Sequence, residues 1–410
     1  MSPALKHVLI LVENLPSPFD RRVWQEATTL AGNGYLVSIV CPKGKGYDES
    51  FEDIDGIHIY RYKLPLEAEG LHSYLIEYSF ALWHTLRLAL RARRERGVDV
   101  IHACNPPDLL FLIGGLFKLL FGTKFIFDHH DINPELYEAK FGKRDIFWKA
   151  LIWLERMTFR TADVSIATNE SYRSIAIERG RMDPAKVFVV RSGPQLDRLK
   201  IVPPVPEWKR GRNFLVGYVG VMGKQEGIDL LLQAARYIIK DLGRNDVQFC
   251  LVGGGTSLVD MEALAHDLGL SEFVTFTGRI PDQELLEILN TADVCVNPDV
   301  ANSMNDKSTM NKIMEYMALG KPIVQFELAE GRFSAQDSSL YAQKNDPKDM
   351  ANKILELLDS PETRRRMGDF GRERIENELE WRYEAPKLLA AYRAIQDDPQ
   401  TITRKAGSHE

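Results

Sequence analysis

Residues 292–326 read ADVCVNPDVANSMNDKSTMNKIMEYMALGKPIVQF, and the fold turns on how this stretch is divided. Val294–Asn297 is a short apolar run of the kind that forms a buried strand. A polar segment, Pro298–Lys307, leads to a helical pattern over 309–319, and Pro322–Phe326 opens as the next strand. Ser308 is a credible N-cap for that helix and Gly320 a credible C′ residue. The N–H groups left free at such a helix start form an anion site suited to a diphosphate. Glu315 falls in the second turn, where a carboxylate can accept both hydroxyls of a ribose. The competing reading is a surface helix with an incidental glutamate.

Strand–helix alternation extends outward in both directions. In the first half, His7–Val12, Leu36–Cys41, Ile57–Tyr62, Val100–Ala103, Lys124–Asp128, Val164–Thr168 and Val187–Arg191 read as strands, with helices over 21–32, 72–96, 107–121 and 144–160. The second half restarts the pattern with Leu215–Val219, Gln248–Val252 and Val274–Thr277, and helices over 227–240, 257–268, 282–290, 347–358 and 361–377. Crossover units of this kind build parallel sheets. Two α/β units of similar size are expected, each a doubly wound parallel sheet, facing across a cleft at the C-terminal strand ends. The expected boundaries are a first domain over 1–200, a Pro-rich linker over 201–212, a second domain over 213–379, a helix over 380–396 crossing back to the first, and a polar, flexible tail over 397–410.

Composition narrows the function. The chain has 410 residues, enough for two to three domains at ~150 residues each. It is 44% hydrophobic and 27% charged, as folded globular proteins are. The net charge of −6 argues against a nucleic-acid partner. Residues 1–200 carry 27 basic and 25 acidic side chains and the remainder 25 and 33, so an anionic surface would be met by the first half. The four cysteines, Cys41, Cys104, Cys250 and Cys295, form no CxxC pair, which fits a reducing cytosol. Nothing near Met1 reads as a secretory signal, and the apolar run Leu109–Phe121 is too short to span a bilayer and reads as a buried helix. A cytoplasmic location follows as the expectation.

The run from Asn311 to Val324, NKIMEYMALGKPIV, resembles the donor-binding signature of family 4 glycosyltransferases, retaining enzymes of the two-Rossmann-domain GT-B fold. Phe249–Gly255 resembles their strand and glycine turn, and Phe276–Ile280 resembles the loop that meets the nucleobase, which brings in Arg279 and Ile280. Ala292-Asp293-Val294 and Pro298 match the strand before the donor loop. The resemblance covers residues 7 to 395. It implies a sugar transferred from a nucleoside diphosphate, UDP favoured, to a glycan or lipid-linked acceptor in bacterial-type polysaccharide biosynthesis, with no cofactor and no essential metal. It also implies a nucleotide-sugar site on Glu315, Ser308, Thr309, Asn311, Lys312, Gly220, Val221, Lys224, Gln225, Arg279, Ile280 and Asp306.

Two departures from the family pattern stand out. The first of its two usual glutamates falls on Lys307, which can meet a phosphate or a sugar hydroxyl, with Asp306 one position earlier as a substitute carboxylate. The Arg and Lys that the family places in the first glycine turn fall on Val221 and Glu226, leaving Lys224 and the amides of 220–223 to meet the diphosphate. A non-catalytic nucleotide-sugar binder, a GT-B epimerase and, from the glycines 253–255, a nicotinamide dehydrogenase are the alternatives.

In the first half, Asp128-His129-His130-Asp131 follows a strand. Its composition suggests a metal, but by the resemblance His130 and Asp131 belong near the donor sugar, so no metal is expected. Asp20 can cap a helix beginning at Arg21, and Arg21 or Arg22 is placed on the acceptor side with Asn105. Basic residues over 82–97, and basic residues interleaved with aromatics over 141–160, suit peripheral contact with the inner face of a membrane, against the plainer reading of core aromatics.

Overall fold

The computed structural model describes residues 7–64 and 71–396, so the expected tail over 397–410 lies outside the described residues. The chain divides into two units, Gly193–Tyr383 and the remainder.

The first unit holds strands β1 (His7–Leu11), β2 (Leu36–Pro42), β3 (Phe51–Ile54), β4 (Ile57–Tyr62), β5 (Val100–Cys104), β6 (Lys124–His129), β7 (Val164–Ala167) and β8 (Val187–Val189). They form one sheet in the order β3-β4-β2-β1-β5-β6-β7-β8. Every pairing is parallel except β3 with β4. Helices α1 (Arg21–Gly32), α2 (Leu71–Arg96), α3 (Phe111–Phe121), α4 (Asn133–Phe141), α5 (Ile146–Thr161) and α6 (Glu170–Ser174) connect them. One sheet face, with Leu9, Leu11, Ile101 and Phe125, packs against α2, α3 and α5 through Ala89, Phe117 and Leu154. Alternation along the strands sends Val8 and Ile10 the other way, and both are buried too.

The second unit holds β9 (Phe214–Val219), β10 (Val247–Val252), β11 (Val274–Gly278), β12 (Val294–Asn297), β13 (Ile323–Phe326) and β14 (Ser339–Ala342), all parallel in the order β11-β10-β9-β12-β13-β14. Its helices are α7 (Ile228–Arg236), α8 (Leu258–Asp267), α9 (Asp282–Thr291), α10 (Asn311–Ala318), α11 (Ala329–Ala335), α12 (Pro347–Leu358) and α13 (Pro361–Arg374). Along β9, Val216 and Tyr218 face a core shared with α7 and α12, while Leu215 faces one shared with α9 and α10. This alternation explains why the strand reads as one unbroken apolar run.

The expected boundary at residue 200 moves to Ser192, because residues after it are tied into the second unit. Gly193 packs on the backbone of residues 379–381, Leu199 is buried in the core of α9 and α10, and Arg198 pairs with Glu315. Residues 201–212 are likewise no free linker. Val205 N–H donates to Thr291 Oγ1 at 2.8 Å, Lys209 pairs with Asp293 at 2.9 Å, and Arg212 donates to Gln248 at 2.8 Å. The helix expected over 380–396 is α14, Trp381–Gln396, and from Glu384 onward it groups with the first unit. Glu384 accepts the Arg191 N–H, and Tyr392 OH meets His102 Nδ1 at 2.7 Å.

All four cysteines are free and buried. The expected buried helix over 107–121 starts at Phe111 and is only half buried, since Leu112, Leu119 and Leu120 are exposed.

Candidate functional site

In the second unit the site residues gather at the C-terminal ends of β9 to β12. Gly220 N–H donates to Val252 O at 3.0 Å and Met222 N–H to Gly254 O at 3.0 Å, so the turns after β9 and β10 lie against each other. Gly253, at φ +131°, is required there, because a Cβ would collide with the Gly220 carbonyl. Gly253 N–H donates in turn to Gly278 O at 2.9 Å, which brings up the end of β11, where Arg279 is exposed and Ile280 packs on the core.

Helix α10 is pinned beneath these turns by Tyr316, whose hydroxyl accepts the Val219 N–H at 2.9 Å and donates to Val296 O at 3.2 Å. One turn earlier, Lys312 is nearly buried, with Nζ 2.7 Å from Glu226 Oε2 and 2.9 Å from Asp299 Oδ1. It also lies over the Tyr218 ring, 5.1 Å from the centroid. Burial works against the Lys312 charge, but Asp299 and Glu226 reverse this and hold it protonated. Burial pushes the Asp299 carboxyl up to about 7, against the pull of Lys312 and with the push of Glu226.

Val221 is 65% exposed at the turn's tip and brings no polar group. Lys224 and Gln225 share a short 3₁₀ turn with Glu226. The Gln225 carbonyl accepts from Val300 N–H at 3.0 Å and Asn305 Nδ2 at 2.9 Å, which ties this turn to the 298–310 segment. Thr309 and Lys307 are half-buried on that segment, and Asn311 begins α10.

One reading is corrected here. Ser308 does not cap α10: its hydroxyl donates back to Met304 O at 2.9 Å, and the helix starts two residues later with Met310 at the N-cap and no side-chain cap. Asp306 accepts the Ala329 N–H at 3.1 Å at the start of α11, with Lys344 3.5 Å away. Gly320, at φ +65°, closes α10 as expected. Glu315 carries a partner that was missed. Arg198 donates to its Oε1 at 2.6 Å and pairs with Asp282 at 3.4 Å. Arg198 lies in a stretch read as part of the first domain, so no sequence signal connected it to α10.

In the first unit the cluster is built around Arg22. Asp20 caps α1 by accepting the Val23 N–H at 3.1 Å, which places Arg22 in the first turn. Arg22 is buried rather than turned to an acceptor. Its Nη2 lies 2.9 Å from Asp128 Oδ1 and 3.0 Å from Glu26 Oε1, and its Nη1 donates to Val190 O at 2.9 Å and Ser192 Oγ at 3.2 Å. Arg21 is exposed.

Burial would raise Asp128, but Arg22 and His130 hold it well below the usual carboxylate range. Burial drives Glu26 well above its range despite Arg22, so Glu26 is the neutral acid of the pair. His130 Nε2 lies 2.5 Å from Asp128 Oδ2 and 3.0 Å from Arg22 Nε.

Asn105 is buried and holds the His130–Asp131 turn instead of meeting an acceptor. Its Oδ1 accepts both backbone N–H groups, at 2.7 and 3.1 Å, and its Nδ2 donates to Asp131 O at 2.6 Å and Asp108 Oδ1 at 3.0 Å. Burial raises the Asp131 carboxyl above its ordinary value, against the pull of His130. His129 is a core residue among Phe127, Phe159 and Tyr172, and burial lowers it to about 3.

Two close sets have metal-ligand composition among the described residues, His102–Cys104–Asp128 and Glu26–Asp128–His130. In the second, the Arg22 guanidinium already supplies the cation. In the first, burial pushes the Cys104 thiol well up.

Two family descriptions match the chain: "Glycosyl transferase 4-like domain" over residues 20–193 and "Glycosyl transferases group 1" over residues 213–360. A D-inositol 3-phosphate glycosyltransferase of Frankia alni is 30% identical over 307 residues, 71% of this chain and 68% of that protein. The chain is a family 4 glycosyltransferase. The sucrose-phosphate synthase structure from Thermosynechococcus elongatus superposes with a TM-score of 0.79 at 20% identity, covering 95% of this glycosyltransferase and 99% of that chain. Anabaena HepE in complex with UDP-glucose gives 0.71 at 13% identity, covering 95% and 99%. The fold is GT-B, and the enzyme is a transferase that uses a nucleotide sugar.

Proposed function

We propose that this glycosyltransferase moves a hexosyl unit from a UDP-sugar, with retention of configuration, to a glycan or lipid-linked acceptor in polysaccharide biosynthesis. The observation that carries the donor side is that α10, which bears Glu315, is held against the glycine turn after β9 by Tyr316 and Lys312. Glu315 receives the ribose hydroxyls, and the turn amides and helix start receive the diphosphate. The uridine base rests on the likeness to HepE, whose structure holds UDP-glucose.

The reaction needs no essential metal in this reading, because the backbone amides of the turn and the start of α10 supply positive potential to a leaving diphosphate. The bond from the anomeric carbon to the phosphate oxygen breaks, the acceptor oxygen bonds to that carbon on the same face, and the acceptor proton passes to the leaving phosphate. His130 and Asp131, held by Asn105 and Asp128, are assigned to the sugar and acceptor. Among the described residues no helix is long and apolar enough to cross a membrane. We place the enzyme in the cytoplasm, in peripheral contact with the membrane through its basic first unit.

Thermal shifts with UDP, GDP, dTDP, ADP and CMP test the donor site. UDP is expected to stabilise the wild type, and Glu315→Ala to weaken UDP by about 2 kcal/mol, close to thirtyfold in affinity. Equal affinity in the variant would remove Glu315 from the ribose.

A further inference from the structure

Lys312 is an unusual choice for its position. It is the second residue of α10, where the helix dipole disfavours a cation. It is also almost entirely buried, which disfavours any charge. Two carboxylates from two other segments compensate it, Glu226 from the turn after β9 and Asp299 from the segment after β12. One ion pair would have sufficed to bury a lysine. The second carboxylate is left incomplete, since Asp299 Oδ2 is buried with no hydrogen-bond partner among the described residues.

The lysine lies where the donor phosphates are assigned. Its Cε is close enough to Gly220 that an added Cβ there would sit 3.5 Å away, so the side chain runs directly beneath the glycine turn. Glu226 occupies the position in that turn where the family resemblance expects a lysine. It is this glutamate that grips Lys312. The ammonium and carboxylate have exchanged elements, and the ammonium lies beneath the turn, held by that carboxylate.

We infer that Lys312 is the cation that meets the donor diphosphate in this enzyme, delivered from α10 rather than from the glycine turn, with Glu226 and Asp299 as its internal counter-ions. The inference rests on the nucleotide reading of this site. It carries a consequence for protons. Lys312, Glu226 and Tyr218 face Asp299, and Tyr316 adjoins Lys312. A diphosphate arriving at Lys312 adds negative charge beside a carboxyl already raised to about 7, so Asp299 takes up a proton as the nucleotide binds.

Titration calorimetry of UDP and of uridine at pH 7, in two buffers of different ionisation enthalpy, tests this on the full chain. The wild type is expected to bind UDP with net proton uptake. Lys312→Met should weaken UDP by about tenfold or more and leave uridine unchanged, because uridine has no phosphate to lose a charged partner. Glu226→Gln removes a competing carboxylate without leaving a buried charge unmatched, so it should tighten UDP several-fold even if Lys312→Met fails to fold. UDP binding unchanged in Glu226→Gln, or in a folded Lys312→Met, overturns the inference while leaving the donor site standing if Glu315→Ala still loses UDP. A wild type that binds no UDP overturns the site reading and this inference together.

Discussion

Asn105 uses every polar atom of its side chain on neighbours. Two backbone amides, a backbone carbonyl and the Asp108 carboxylate converge on it, at 2.6 to 3.1 Å. Asn105→Ala therefore leaves two part-buried N–H groups without their acceptor and removes one of the Asp108 donors. The cost is expected at about 2–3 kcal/mol, read as a lowered first-unit transition in urea. A loss under about 0.5 kcal/mol would mean that water takes over the turn. From sequence, Asn105 is visible only as a polar residue at a strand end. Its role needs β5 and β6 side by side, which a pattern of strands implies but does not register. Arg22 shows the same limit. An arginine at a helix start reads as solvated, and the partner that buries it, Asp128, stands 106 positions away. What was legible is what local chemistry dictates, such as the Asp20 cap and the glycine that closes α10.

Elements are tied together by a second buried charge set. Arg179, at the end of the helical turn after α6, pairs with Glu135 of α4 at 2.8 Å and with Glu155 of α5 at 2.5 Å. Burial pushes Glu155 up to about 7 in spite of Arg179, from an ordinary value of 4.5. The native state thus keeps a proton that the unfolded chain releases above pH 4.5. Stability falls as pH rises from about 4.5 to 7, and this contribution is fully lost above the folded value. Glu155→Gln cannot titrate, so its unfolding free energy should fall less than the wild type's across that window, by on the order of 2–3 kcal/mol. Parallel pH dependence in the two proteins would show that Arg179 keeps Glu155 ionised throughout. The helix α4 was not foreseen, nor were β3, β14 and α11. Phe51–Ile54 places two adjacent carboxylates between two apolar residues at an antiparallel sheet edge, and Ser339–Ala342 begins with a polar residue and carries a single large aliphatic one, so neither resembles the apolar runs of the central strands. The long buried strands were readable because parallel sheets covered on both faces need continuous apolar segments.

At the scale of the molecule, the outer surface of α2, α3 and α5 is the feature that a soluble core does not explain. These helices bury one face on the first sheet, yet Leu119 is 83% exposed, Ile146 72%, Trp83 63% and Trp153 58%. Large apolar side chains grouped on one side mark a contact surface. Exposed Arg87, Arg94, Lys149, Arg156 and Arg160 lie among them, Arg91 being paired with the exposed Glu95 of α2 at 2.7 Å, whereas Glu155, the acid of α5, faces inward to Arg179. Aromatic and basic residues together fit an anionic bilayer, where each cation near the surface contributes about 1 kcal/mol. The protein is therefore expected to co-sediment with phosphatidylglycerol vesicles and not with phosphatidylcholine vesicles, and to be released as salt rises. Replacing Trp83 and Trp153 together by Ala should weaken this binding about tenfold or more while leaving UDP affinity unchanged, because both side chains lie in the first unit and the nucleotide residues in the second. Equal binding to neutral and anionic vesicles would remove the arginines from the argument. No binding to either would return the aromatics to an ordinary protein surface and leave the basic helices to an anionic acceptor alone.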